Sequence, residues 1–153
     1  MRRHDTPPWW GGPAVLAAVA VGGMVGASGR YGLNRLLPYA LGEWPWATLL
    51  TNVSGCLLIG VLLGTITRIG REHRLVRPFL GVGVLGGYTT FSTYAVDAFG
   101  LITAGRWGLA LLYLVGTAVA ATLAVLLGDG LARSWHIRRT RRNSPPLANG
   151  PAP

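Results

Sequence analysis

The pattern of apolar and polar positions divides the chain into four long, almost uncharged stretches: Pro13 to about Leu37, Trp44 to about Thr67, Phe79 to about Ala104, and Trp107 to about Ala132. Each is long enough to cross a bilayer core as a helix, which takes roughly 20 residues. The connectors are short, Pro38 to Glu43, Arg68 to Pro78 and Gly105-Arg106. Connectors of this length force neighbouring helices antiparallel, and an even number of spans returns both tails to one side. The expectation is an all-α integral membrane protein of four transmembrane helices, with an N-terminal tail over 1–12, a membrane domain over 13–132 and a basic C-terminal tail over 133–153. The tails are Arg-rich and then Pro/Asn/Gly/Ser-rich, a composition that reads as disorder. Aromatic residues mark the span ends as interfacial anchors: Trp9, Trp10, Tyr39, Trp44, Trp46, Trp107 and Trp135.

Charge sharpens this topology. The net charge is +9 and all fourteen basic residues are arginine. They lie between or beyond the apolar stretches rather than on one folded patch, which excludes a nucleic-acid partner. On the side of the tails stand Arg2, Arg3, Arg68, Arg71, Arg74, Arg77, Arg133, Arg138, Arg139, Arg141 and Arg142, eleven in all, against Arg35 and Arg106 opposite. The positive-inside rule places both tails in the cytoplasm of a plasma or inner membrane. Arg30 falls inside the first span. A signal-peptide reading of Arg2-Arg3, the apolar run from Ala14 and the small residues Gly26-Ala27-Ser28 is opposed by the three further spans. Cys56 is the sole cysteine, so no internal disulfide forms. No His/Asp/Ser or Cys/His set and no paired carboxylates occupy the spans, and His4, His73 and His136 fall in tails or a loop, so an enzyme is not expected.

Several residues ask for more than a lipid-facing helix. Glycines four apart, Gly22 with Gly26, Gly60 with Gly64 and Gly83 with Gly87, allow close backbone approach and imply tight packing or dimerisation. Thr48 and Asn52 share one face of the second span, continued by Cys56 and Gly60. The Asn52 amide suits either an interhelical hydrogen bond or a permeation role. Tyr113 and Thr117 put two hydroxyls on one stripe of the fourth span. Gly86-Gly87-Tyr88-Thr89-Thr90-Phe91-Ser92-Thr93-Tyr94 is a poor continuous helix, so a break is expected near the middle of the third span. Carbonyls freed there need a partner, of which a cation is one. Phe91 and Tyr94 share a face beyond the break, where ring edges can pack or meet a small anion.

The Gly22-Gly23, Gly26 and Arg30-Tyr31 run, the Thr48 to Gly55 run, and above all Gly86 through Thr93 resemble the Fluc fluoride channels, also called CrcB proteins, over about residues 14 to 130. The resemblance implies a fluoride-selective, dual-pore channel that passively exports toxic fluoride. Its two four-helix subunits would pack in opposite orientations within membrane lipid, the partner being an identical chain or an oppositely oriented homologue. It implies a central structural sodium ion held by the carbonyls of Gly86 and Thr89. Asn52, Phe91, Tyr94, Tyr113, Thr117 and Thr48 would line or support the fluoride pathway, Arg30 would stand in the cytoplasmic vestibule, and Asp97 occupies a position where the family commonly has an acidic residue. The family usually has Phe where this chain has Tyr94, whose hydroxyl either adds a donor or obstructs a path. Donors in a narrow bore suit fluoride better than chloride. The alternative of a small proton-coupled multidrug exporter lacks the carboxylate it needs in the first span. A non-conducting membrane assembly would require the glycine packing alone.

Overall fold

The computed structural model describes residues 12–69 and 74–143. Among them every regular element is helical. Trp9, Trp10, Arg71, His73 and the last ten residues of the expected C-terminal tail lie outside the described residues.

Helix α1 spans Gly12–Leu36. Gly12 has φ 76°, and Pro13 behind it takes the first helical position, where its missing N–H costs nothing. Its end falls two residues before Pro38, in accord with the steric restriction ahead of a proline. The connector turns at Gly42, φ 87°. Fully buried Pro45 then leads into α2, Trp46–Ile69. Helix α3 begins at Arg77 with Pro78 in its first turn, is wound as a π-helix over Arg77–Leu85, and runs on through Gly86–Tyr88. At Thr89 the backbone is extended, with φ −75° and ψ 160°. Helicity resumes in α4, Ser92–Thr103, and a tight turn at Gly105, φ 73°, reverses the chain into α5, Trp107–Asn143.

Two features depart from the sequence expectation. The π-winding of α3 has no mark in the apolar pattern. The fourth helix does not stop at 132, and the stretch through Asn143 that reads as the start of a disordered tail is helical. Arginine is a good helix former, so the loss of apolar residues ends the membrane-embedded part and not the helix. At 37 residues α5 is roughly 55 Å long, well beyond a hydrocarbon core of about 30 Å. Three helices are long and apolar enough to span by length and composition: Gly12–Leu36, Trp46–Ile69 and Trp107–Arg138. The chain is a multi-pass membrane protein.

Packing proceeds through small residues. Gly22 and Gly26 of α1 lie against Phe79, Gly83 and Val84, so that a Cβ on Gly83 would stand 2.9 Å from the Gly22 Cα. Gly87 meets Gly23 in the same way, at 2.5 Å from its carbonyl oxygen. Across the molecule Gly60 of α2 abuts the Val125 carbonyl, and Gly128 of α5 abuts that of Leu57. These stripes therefore serve contacts inside the chain, where close approach replaces the hydrophobic drive that lipid does not supply. Near the cytoplasmic ends expected for α2 and α5, Arg68 grips both oxygens of Asp129, at 2.7 and 3.1 Å, and also donates to the Gly64 carbonyl at 2.6 Å. Toward the opposite end, α4 and α5 close over Ala98, Leu101, Ala110 and Tyr113. Large apolar side chains elsewhere point outward, Leu126 and Leu127 among them, as lipid-facing residues do.

Candidate functional site

The site is built around the interruption between α3 and α4, where backbone groups must be satisfied without a helix ladder. Thr89 N–H still donates to the Leu85 carbonyl, at 3.0 Å. The next amide, Thr90 N–H, would reach Gly86 in a continuous helix; here it donates instead to Asn52 Oδ1, at 2.8 Å. Asn52 Nδ2 in turn donates to the Thr90 carbonyl, at 2.9 Å. One side-chain amide from α2 thus clamps both polar groups of the residue at the break. Arg30 Nε donates to the Gly87 carbonyl, at 3.2 Å. Thr93 N–H donates to Thr90 Oγ1, at 3.1 Å, which caps the start of α4 and draws that amide away from the Thr89 carbonyl. The carbonyls of Gly86 and Thr89 are thus among those that lose their helical donor at the break. Oxygens of this kind fit a hard cation, and the donor set is compatible with the sodium ion that the sequence resemblance implies.

Outside the break opens a groove of about 430 Å³. Its lining includes Asn52, Gly86, Thr89, Phe91, Tyr94 and Thr117, with Cys56 on the α2 wall. Six of the sequence-predicted site residues are therefore brought together. Phe91 is 80% exposed, and its ring stands 5.8 Å from that of Tyr94. The Tyr94 hydroxyl donates to the Leu114 carbonyl on α5, at 2.7 Å. Its proton is thereby committed to the scaffold. Thr117 Oγ1 is buried and, among the described residues, has no hydrogen-bond partner. A lone buried hydroxyl costs free energy, which a polar ligand beside it would recover.

Thr48 and Tyr113 do not line this groove. They belong to a second, buried cluster around Asp97, toward the end of the molecule that carries the α1–α2 connector. Asp97 Oδ1 accepts from the Tyr39 hydroxyl, at 2.8 Å, and Oδ2 from that of Tyr113, at 3.3 Å. Tyr39 Oη also lies 3.0 Å from Thr48 Oγ1. A phenol has a single proton, so Thr48 is the donor in that contact. Burial pushes the Tyr39 phenol up to about 12, with Asp97 beside it adding to the effect, so it is a protonated donor at physiological pH. The Tyr94 and Tyr113 rings, 5.2 Å apart, connect the cluster to the groove. Arg30 lies on the α1 side of the break, away from the groove lining.

Sequence reasoning treats Tyr39 only as an interfacial anchor and gives Asp97 no contact. The available signal was Asp97 itself, since a carboxylate inside an apolar span needs donors nearby. Tyr88 was likewise given no partner, yet its hydroxyl meets Ser54 Oγ at 3.1 Å.

Residues 17–129 match the family model described as CrcB-like protein, Camphor Resistance (CrcB). The chain belongs to the CrcB family. That match takes in the whole groove and the Asp97 cluster. Among related CrcB proteins, a fluoride-specific ion channel FluC 2 of Nocardia farcinica is 48% identical over 130 residues, covering 85% of this chain and 92% of its own. FluC 1 of Streptomyces coelicolor is 50% identical, with 78% and 77% of the two chains covered. FluC 2 of Thermobifida fusca is 47% identical over 84% of this chain and 95% of its own. These relatives are named as channels and not as enzymes.

Proposed function

We propose that the chain is one subunit of a fluoride-selective ion channel that passively releases fluoride from the cytoplasm. The observation that carries this reading is the near-half identity, along almost the full membrane domain, to proteins named as fluoride-specific channels. The site supports it chemically. A fluoride ion gives up tightly held water and needs short-range donors in return. The groove offers the second amide N–H of Asn52, the hydroxyl of Thr117, and the positive edges of Phe91 and Tyr94. Chloride, being larger, gains less from donors converging on a narrow bore.

In this reading α3 and α4 together form a fourth, interrupted span, and the subunit pairs with a second one in the opposite orientation. The open groove and the exposed Phe91 call for such a cover. The partner is an identical chain or an oppositely oriented homologue. A sodium ion on the Gly86 and Thr89 carbonyls, with the same pair from the partner, would fill the place of the missing helical amides and lock the pair. Both tails would be cytoplasmic in the favoured orientation. The exporter alternative gains nothing, since Asp97 is already engaged by two phenols.

The assembled antiparallel pair, purified and reconstituted in liposomes loaded with potassium fluoride, tests the function. Valinomycin should trigger rapid fluoride release with little chloride release and no dependence on a proton gradient. Equal release of the two halides would refute selectivity, and coupling to protons would refute a channel.

A further inference from the structure

Helix α5 borders a further groove, on the side turned away from the break. It holds about 630 Å³ and runs along the helix from Leu123 past Leu127, Gly130 and Leu131 to Ser134, with Leu57 of α2 beside it. The groove at the break takes Thr117, Ala118 and Ala121 from the same helix, and no residue lines both. At 3.6 residues per turn the two sets point to opposite sides of α5, so a partner seated over the break would leave this groove facing lipid. Gly130 keeps it open: a Cβ there would meet nothing within 4 Å, while Leu127 and Leu131 on either side stand exposed.

Depth and charge say what fits it. From Leu123 to Ser134 the helix rises about 16 Å, close to the roughly 15 Å of one hydrocarbon leaflet. Next along the chain comes Trp135, exposed and placed as an interfacial aromatic. Arg138 lies one turn beyond Ser134 on the same face, about 6 Å further out, at the level of lipid headgroups. It is exposed and, among the described residues, forms no ion pair. Arg139, Arg141 and Arg142 follow within four residues. Asp129, the single acidic residue of α5, is already bound by Arg68. An apolar slot one leaflet deep that ends in uncompensated arginine matches an acyl chain beneath an anionic headgroup.

We infer that this groove binds one anionic phospholipid, with an acyl chain along Leu123 to Leu131 and the phosphate on Arg138. Such a site is independent of what the chain conducts, and it would hold the arginine-rich end of α5 at the leaflet surface.

Native mass spectrometry of the full-length chain in detergent, titrated with phosphatidylglycerol or with phosphatidylcholine of the same acyl chains, tests the site. The parent should hold phosphatidylglycerol about fivefold more tightly than phosphatidylcholine, and Arg138→Gln should remove that preference while leaving phosphatidylcholine binding as it was. Gly130→Leu fills the groove without meeting protein and should weaken both lipids about tenfold. Arg106→Gln, before the other end of α5, should change neither affinity. Equal affinity of the parent for the two lipids, or an unchanged preference in Arg138→Gln, overturns the headgroup contact, and undiminished binding in Gly130→Leu overturns the groove. An equal loss in Arg106→Gln would reduce the contact to general attraction between arginine and lipid, and overturns the site. A fall of Gly130→Leu from dimer to monomer mass with lipid binding unchanged would assign the face to a second chain instead. Arg138 is exposed and beyond the apolar stretch, so its arm carries the test if Gly130→Leu does not fold.

Discussion

At the scale of single residues, Asn52 shows how one side chain from α2 holds the break by both ends of its amide. Its two bonds to Thr90 make it the clamp of the break, so its removal would do more than delete the proposed pore contact. Asn52→Ala should lower stability in detergent by about 2–4 kcal/mol, since two hydrogen bonds vanish and two backbone groups lose their partners. Equal melting of Asn52→Ala and the parent would show that the clamp contributes nothing. Tyr94→Phe is the contrasting case: its hydroxyl bonds Leu114 and not the groove, so the loss should be about 1 kcal/mol with fluoride efflux near the parental rate. The sequence shows that a polar amide sits in an apolar span and leaves its use open between a bond and a pathway. Only the backbone path at Thr90 reveals that both amide ends are engaged, because a break exposes main-chain groups that no side-chain pattern describes.

At the scale of elements, the glycine spacings and the poor helix formers between Gly86 and Tyr94 are legible because they act through local backbone energetics. The partner of each glycine stripe is not, since periodicity marks a close approach without saying to what. Gly26 faces Val84 and Tyr88, and a Cβ there would come within 2.8 Å of the Tyr88 amide nitrogen, a backbone atom that cannot rotate aside. Gly26→Ala should therefore force α1 from α3 and cost about 1–3 kcal/mol, as overpacking does. Gly116→Ala on α5 meets nothing within 4 Å inside the subunit and serves as the control. Thermal unfolding of the two purified variants reads the difference; a comparable loss for both would mean that Gly116 faces another subunit, and no loss for Gly26 would contradict the packing of α1 on α3. The extent of α5 was misjudged for a related reason: hydropathy reports where a helix leaves the bilayer and is blind to where it unwinds. Pro145 and Pro146, the first strong breakers after the arginines, lie just beyond Asn143.

At the scale of the whole molecule, orientation decides what this chain can assemble with. An antiparallel pair from one gene product needs both insertions in comparable amounts, which requires a weak bias of positive charge. The bias here is eleven arginines to two, and the continuity of α5 through Asn143 strengthens it. Arg133, Arg138, Arg139, Arg141 and Arg142 all fall on that helix, within 10 residues of the end of the apolar stretch at Ala132, inside the window where charge governs topology. Among the described residues Arg68 spends part of its charge on Asp129, but acidic residues count little in this rule. Setting aside all five arginines of α5 still leaves six against two. Expressed alone with a C-terminal reporter, the chain should therefore show one dominant topology, with the tail in the cytoplasm, and should release fluoride from liposomes only weakly until an oppositely oriented homologue is supplied. Comparable populations of the two topologies would overturn the fixed orientation, and robust efflux from the chain alone would show that it supplies its own inverted partner. Native Cys56 gives an independent reading, because it lines the groove that the partner would cover. Maleimide should label it readily in the lone subunit and slowly once the pair has formed, and rapid labelling in the conducting assembly would place the interface on another face.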